Sequence, residues 1–340
     1  MPSFRNDYSY LCHPRILEAL NRFNDENHIA YGLDKHSMNA SNMIKKVFNA
    51  PDAEVFFLAG GTQTNMTFIS YCLRPYEGVI ACDTGHINVH ETAAVEGSGH
   101  KIIIVKNSDG KLTPNDIEQV MSQFADEHMV KPAMIYISNS TEIGSIYHKQ
   151  ELIDLYQAAK KNELYLFIDG ARLGSALTCN DNDVDSSLLG QACDAFYVGG
   201  TKNGLLFGEA LVINNKDLQK DFRYQIKNRG AMLAKGYAVG IQFEEAFKDN
   251  LYFDLAKHTN EMAEELRRVL KKYFLKVNDS PTNQVFVTAS KYNANKLLEE
   301  FSLEKWSEEG DEMTVRFVTS FKTTIEDIKE VDKFLANLLN

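Results

Sequence analysis

The chain predicts an α/β protein, with a mostly parallel central sheet flanked by helices and a small α+β C-terminal domain. Three observations carry this. From about residue 53 to 213, short apolar runs alternate with helical patterns, the mark of βαβ units. Two of those runs end in a charge: Leu164–Ile168 stops at Asp169, and Ala195–Val198 leads through Gly199-Gly200-Thr201 to Lys202. After about residue 245 the alternation gives way to a long amphipathic helix, short β-like runs and a last helix.

The elements follow in order. Residues 1–30 hold one short helix, Pro14–Phe23, and loop, and are expected to pack on the small domain or on a neighbour. Residues 31–245 form the large domain. Its strands are Val55–Leu58, Val79–Cys82, Lys101–Val105, Ala133–Ser138, Leu164–Ile168, Ala195–Val198 and Ala210–Ile213. Its helices include Thr62–Cys72, Thr113–Ala125, where Thr113 and Pro114 suit N-cap and N1, and His148–Lys161. Residues 246–340 form the small domain: helix Leu251–Lys272, strands Val285–Thr288 and Thr314–Val318, and helix Thr324–Leu339.

Composition narrows the function. Against 36 basic residues stand 47 acidic ones, a net charge of −11. That balance disfavours nucleic-acid binding, which needs clustered Lys and Arg. The five cysteines (Cys12, Cys72, Cys82, Cys179, Cys193) are odd in number and contain no C-x-x-C. Free thiols in a reducing compartment are expected, with no disulfide framework and no metal site. The N-terminal stretch MPSFRNDYSYL lacks an apolar signal region, and no apolar run nears the ~20 residues of a membrane helix. A cytoplasmic protein is expected.

Asp169 and Lys202 stand at strand ends, so a parallel sheet delivers both to the edge where open α/β sheets bind ligands. Taken singly, Asp169 suits a helix N-cap and Lys202 a surface lysine. Together they suit pyridoxal phosphate (PLP): the amine forms a Schiff base and the acid keeps the ring nitrogen protonated. Burial would favour the neutral amine. The flanking Gly199, Gly200 and Gly204 would admit a planar ligand. Leu58-Ala59-Gly60-Gly61-Thr62 is a strand–Gly–helix junction, either a phosphate cradle or a plain turn with Thr62 as N-cap. His86, just past a strand, is placed to stack on a ring or accept a proton. Gly97-Ser98-Gly99 precedes a strand and lacks the third glycine, which disfavours a nicotinamide enzyme.

In this order the strings resemble the PLP-dependent threonine aldolases, of the aspartate-aminotransferase-like fold type I and its β-eliminating lyases. The resemblance runs through Arg5-Asn6-Asp7, Tyr31-Gly32-Leu33-Asp34, Gly61-Thr62-Gln63-Thr64-Asn65, His86, Asp169-Gly170-Ala171-Arg172, Gly199 to Gly204, and Val315-Arg316-Phe317-Val318-Thr319. It implies Lys202 as the Schiff-base lysine, Asp169 as partner of the pyridine nitrogen and His86 as the stacking ring. It implies Gly61 and Thr62 as phosphate ligands, and Arg172 and Arg316 for the ring oxygen and the substrate carboxylate. Asn6 stands near that carboxylate. Tyr31, with Lys227 or Lys235, would reach the active site of an adjacent subunit, Tyr31 toward substrate and the lysines toward the phosphate.

The implied reaction is retro-aldol Cα–Cβ cleavage of β-hydroxy-α-amino acids, L-threonine and L-allo-threonine, to glycine and an aldehyde. The implied assembly is a homodimer at least, with a tetramer favoured. One string departs from the common pattern: Asn139-Ser140-Thr141-Glu142 puts Glu142 where many relatives carry histidine. The base therefore stays open between His86, Glu142 and a water between them. β-Elimination or transamination with the same cofactor is the nearest alternative, and a non-catalytic PLP-fold binding protein the alternative of another class.

Overall fold

In the computed structural model, which describes residues 2–274 and 276–339, the alternation resolves into a seven-stranded sheet. Its strands are β1 (Glu54–Leu58), β2 (Glu77–Cys82), β3 (Lys101–Val105), β4 (Lys131–Ser138), β5 (Tyr165–Asp169), β6 (Ala195–Gly199) and β7 (Glu209–Ile213). They lie in the order β1-β7-β6-β5-β4-β2-β3. Strands β2 to β6 pair in parallel, and β7 runs antiparallel to both β1 and β6. Every residue of β2, β6 and β7 is buried, as helices on both faces require. Alternation then sorts side chains by face. Ile135, Ile168, Phe196 and Val198 enter one core, and Tyr136, Phe167 and Tyr197 enter the other.

A second sheet holds β8 (Lys276–Val277), β9 (Gln284–Ser290), β10 (Glu304–Glu309) and β11 (Glu312–Val318), antiparallel throughout, in the order β10-β11-β9-β8. Strand β10 was not expected. Its sequence, EKWSEE, has no apolar alternation because it is an edge strand with both faces largely in water. The helix Lys35–Val47 is a second addition; Asp34 caps it, with Oδ1 accepting from the His36 and Ser37 amides at 2.9 Å each.

The long helix Leu251–Leu270 serves both parts. Leu251, Tyr252 and Leu255 belong to a core of the large sheet, while Met262, Ala263, Leu266 and Leu270 belong to the core on the small one. The N-terminal residues are likewise divided. Phe4 lies in the small-sheet core, but the helix Pro14–Arg22 packs on helix Tyr237–Phe247, with Arg15 Nε donating to Glu245 at 2.9 Å. Among the described residues no helix is long and apolar enough to cross a membrane.

Candidate active site

Asp169 closes β5 and is not a helix cap: it is 3% exposed, and the helix Leu173–Thr178 begins after Arg172. Its Oδ2 accepts from the Tyr136 hydroxyl at 2.5 Å and from Asn65 Nδ2 at 3.0 Å; its Oδ1 accepts from the Tyr197 hydroxyl at 2.5 Å and the Ala171 amide at 3.0 Å. Burial opposes the charge on this carboxylate, but the His86 charge and the Tyr136, Tyr197 and Asn65 bonds outweigh it and hold the pKa below its ordinary value. A fixed carboxylate that favours its ionised form results.

Lys202 follows β6 by three residues. The glycines before it answer first to backbone packing: a Cβ on Gly199 would come within 2.3 Å of the Ala171 carbonyl oxygen, and Gly199 N–H donates to the Gly170 carbonyl at 2.9 Å. Close approach of β5 and β6 at their ends, more than access for a ligand, demands glycine there. Gly204 has φ +83°, which ends the lysine turn. Burial and the Arg172 guanidinium lower the Lys202 pKa against the pull of Asp7, Glu142 and Asp169. The neutral, nucleophilic amine is thereby favoured. Beside it Glu209 is buried and pushed up to about 8, with its Oε2 accepting from the Gly200 amide at 3.0 Å.

Lys202, Glu209, Gly60, Gly61, Thr62, His86 and Ala171 line one cavity of about 270 Å³. Thr62 is not the N-cap of its helix. The cap is Gly60, with no side-chain cap bond, and Thr62 lies in the first turn of Gly61–Cys72. The first intrahelical amide bond is Thr64 N–H to the Gly60 carbonyl, so the amides of Gly61, Thr62 and Gln63 open toward the cavity end. A Cβ on Gly61 would sit 2.9 Å from the Tyr197 hydroxyl, which fixes glycine at this junction.

His86 is tied back to the same network. Its Nδ1 lies 2.8 Å from Glu91 Oε1, and Asn65 Nδ2 donates to that same oxygen at 2.8 Å. Asn65 thus bridges the carboxylates of Glu91 and Asp169. Burial works against a charged ring, but the Glu91 bond and the charges of Glu142 and Asp169 outweigh it, and the His86 pKa stands above its ordinary value. Glu142 is buried, and its charge acts on His86, His90, Arg172 and Lys202. His90, whose ring lies 5.4 Å from that of His86, joins the group without a sequence signal.

The two arginines arrive with partners. Arg172 donates from Nε to Asp7 Oδ2 at 2.7 Å and from Nη2 to Asp7 Oδ1 at 3.1 Å, and Asn283 also donates to Asp7 at 2.9 Å. Arg316 donates to Gln284 at 3.1 Å and to Glu304, lies over the Trp306 ring at 5.0 Å, and keeps a buried Nε without a partner. Asn6 accepts from the Tyr8 amide and the Ser9 hydroxyl in the turn that carries Asp7, Arg172's partner. Both ions of the Asp7–Arg172 pair are buried, unlike the exposed pairs elsewhere, which are worth ~0–1 kcal/mol. Asp7→Ala is expected to lower the unfolding free energy by about 3–5 kcal/mol, read by urea denaturation, because it strands a buried guanidinium.

Tyr31, Lys227 and Lys235 do not join the cavity within one chain. They form a separate group: Lys227 Nζ lies 5.4 Å over the Tyr31 ring, and the Tyr31 amide donates to the Ala234 carbonyl at 3.0 Å, next to Lys235.

The residues at the cavity fit PLP. The cofactor asks for an amine, a fixed carboxylate for its ring nitrogen and an anion cradle for its phosphate. Lys202, the uncapped start of helix Gly61–Cys72, and Asp169, which meets the cavity through its bonded partner Tyr197, could supply these.

Known proteins match the chain as a whole. The profile of the beta-eliminating lyase family matches residues 14–291. A low specificity L-threonine aldolase of Pseudomonas aeruginosa is 29% identical over 338 residues, covering 96% of this chain and 94% of its own; one from Pseudomonas sp. is 32% identical over 266 residues, covering 77% and 75%. The structure of a threonine aldolase from Leishmania major superposes over the whole of both chains with TM-score 0.96 at 42% identity. The aspartate aminotransferase of Thermus thermophilus, at 14% identity and TM-score 0.74, covers 99% of this chain and 91% of its own and shares the fold alone. The chain belongs to the beta-eliminating lyase family and has the fold of the PLP-dependent type I enzymes.

Proposed function

We propose that this chain is a PLP-dependent aldolase that cleaves the Cα–Cβ bond of β-hydroxy-α-amino acids, L-threonine and L-allo-threonine among them, to glycine and an aldehyde. The observation that carries it is the full-length match to a threonine aldolase at 42% identity, with Lys202 and the Asp169 network at one cavity. When bound, PLP supplies a protonated pyridine ring that takes up the electron pair of the breaking bond.

The chain's residues do the rest. Lys202 is the amine that holds the cofactor. Asp169 would keep a proton on the ring nitrogen. Gly61 and Thr62 would offer amides to the phosphate, and His86 would pack on the ring. Arg316 Nε and Arg172 Nη1 are the donors left for the substrate carboxylate, with Asn6 beside them. The β-hydroxyl proton passes to His86 Nε2, since Nδ1 is engaged by Glu91, with Glu142 next to it holding positive charge on the ring. Glu91→Gln removes the strongest support for that charge. The acidic limb of the kcat/KM profile is therefore expected to move to lower pH; an unmoved limb assigns it to another group.

A second copy is proposed to complete the site with Tyr31, Lys227 and Lys235. Ile29 and Leu33, which flank Tyr31 in the sequence, and Leu11, Leu17 and Met38 are all more than half exposed, which suits an interface formed by the N-terminal residues. The free thiols suit a cytoplasmic location.

The test is glycine release from both threonine diastereomers and from a set of other β-hydroxy amino acids. Failure with all of them contradicts the proposal. The family description favours one other reading, β-elimination, which would yield ammonia and a keto acid instead.

A further inference from the structure

We propose that Glu26, His28 and His36 bind one divalent transition-metal ion of the zinc class, at a site apart from the Lys202 cavity. The sequence gives no sign of this site: the spacing Glu26-x-His28-x7-His36 fits no short metal motif and spans a loop and a helix start. Folding brings one ligand atom from each residue within 4.8 Å of the others.

His36 gives the site its character. Its side chain is 3% exposed, and its Nε2 has no hydrogen-bond partner. Its Nδ1 lies 2.5 Å from Glu244 Oε2. A carboxylate there only accepts, so Nδ1 carries a hydrogen and, in the neutral ring that a metal needs, Nε2 carries the lone pair. A buried acceptor with no partner is rare and costly. A metal ion is the partner that this geometry suits, and carboxylate–histidine–metal is the usual outer arrangement of a histidine ligand. Glu26 Oε2 stands 3.8 Å from that nitrogen, and the His28 ring centre 5.3 Å from the His36 ring centre. Phe23 and Tyr237 wall the two imidazoles at 4.3 and 4.5 Å between ring centres.

Two nitrogens and a carboxylate oxygen match zinc and its neighbours, with water completing four-coordination. The ion competes with two contacts. Lys35 Nζ lies 2.6 Å from Glu26 Oε2, but Lys35 is an exposed side chain and releases cheaply; His28 Nε2 meets the Phe23 carbonyl at 3.2 Å. Bound here, the ion pins the segment after helix Pro14–Arg22 to helix Lys35–Val47 and, through Glu244, to helix Tyr237–Phe247. Tyr31 lies three residues past His28 on that segment; its fixing by the ion rests on its proposed role, while metal binding does not.

The test uses the PLP-loaded enzyme after chelator treatment and dialysis. Zn²⁺ is titrated by calorimetry, and Co²⁺ by its visible bands, which report four-coordination. One ion per chain is expected. Glu26→Gln and His28→Ala, both on the connecting segment, should each weaken Zn²⁺ binding about 100-fold or more, with unchanged circular dichroism. Glu244→Gln, which keeps His36 packed, should weaken it about 10- to 100-fold. No stoichiometric ion in the parent protein, or Glu26→Gln and His28→Ala binding as tightly as the parent, overturns the site. Inactivity toward threonine with metal binding intact would overturn the proposed function and leave this site standing.

Discussion

Lys202→Ala is expected to lower glycine release from L-threonine by about 10⁴-fold, roughly 5 kcal/mol of barrier at 1.36 kcal/mol per tenfold. The size follows from what is lost: this amine, with its pKa lowered by burial and Arg172, is the one lysine that lines the cavity among the described residues of a single chain. Folding of the variant is read by circular dichroism, because Lys202 lies in the field of the buried Asp7, Glu142 and Asp169 carboxylates; Glu209, pushed toward its neutral form, asks for no cation. A small primary amine added to the assay should restore part of the rate, which a merely structural lysine would not permit. Full activity in the variant would remove Lys202 from the reaction.

Asp169→Asn is expected to lower kcat about 10²–10³-fold with little change in KM, on the scale of losing one preorganised electrostatic group. Asparagine is the instructive replacement. Alanine would orphan the Tyr136 and Tyr197 hydroxyls and Asn65 at ~1–3 kcal/mol each and confuse stability with chemistry. Asparagine keeps the shape and one acceptor oxygen but carries no charge to hold a proton on a ring nitrogen. The pH sign is opposite for the two linked groups. The Asp169 pKa is lowered in the fold, so its stabilisation is present above the unfolded value of ~3.9 and is lost as pH falls through the folded one. The His86 pKa is raised, so its stabilisation is complete below ~6.5 and is lost as pH rises through the folded value.

Asp169 and Lys202 were legible because each ends an apolar strand, a pattern written within ten residues. Their surroundings were not. The Asp169 partners lie 104, 33 and 28 residues away, and Asp7 is 165 residues from Arg172. Tyr136 and Tyr197 read as apolar bulk in core strands. The usable signal was that a buried tyrosine hydroxyl must find a partner, and both share a sheet face with Phe167 and so with Asp169, two residues on. Thr62 looked like a cap because threonine favours that position, yet Gly60, extended at φ −172°, takes it and leaves the first amides open. Strand β10 was invisible for a different reason: a water-exposed edge strand has no apolar period to read. The Glu26–His28–His36 cluster was hidden because its members meet only when a loop folds onto a helix start.

The most direct measurement is a product balance on purified, PLP-loaded enzyme with L-threonine and L-allo-threonine. Glycine and acetaldehyde in equal amounts, with no ammonia, are predicted. Ammonia with 2-oxobutanoate, and no glycine, would contradict Cα–Cβ cleavage at this site.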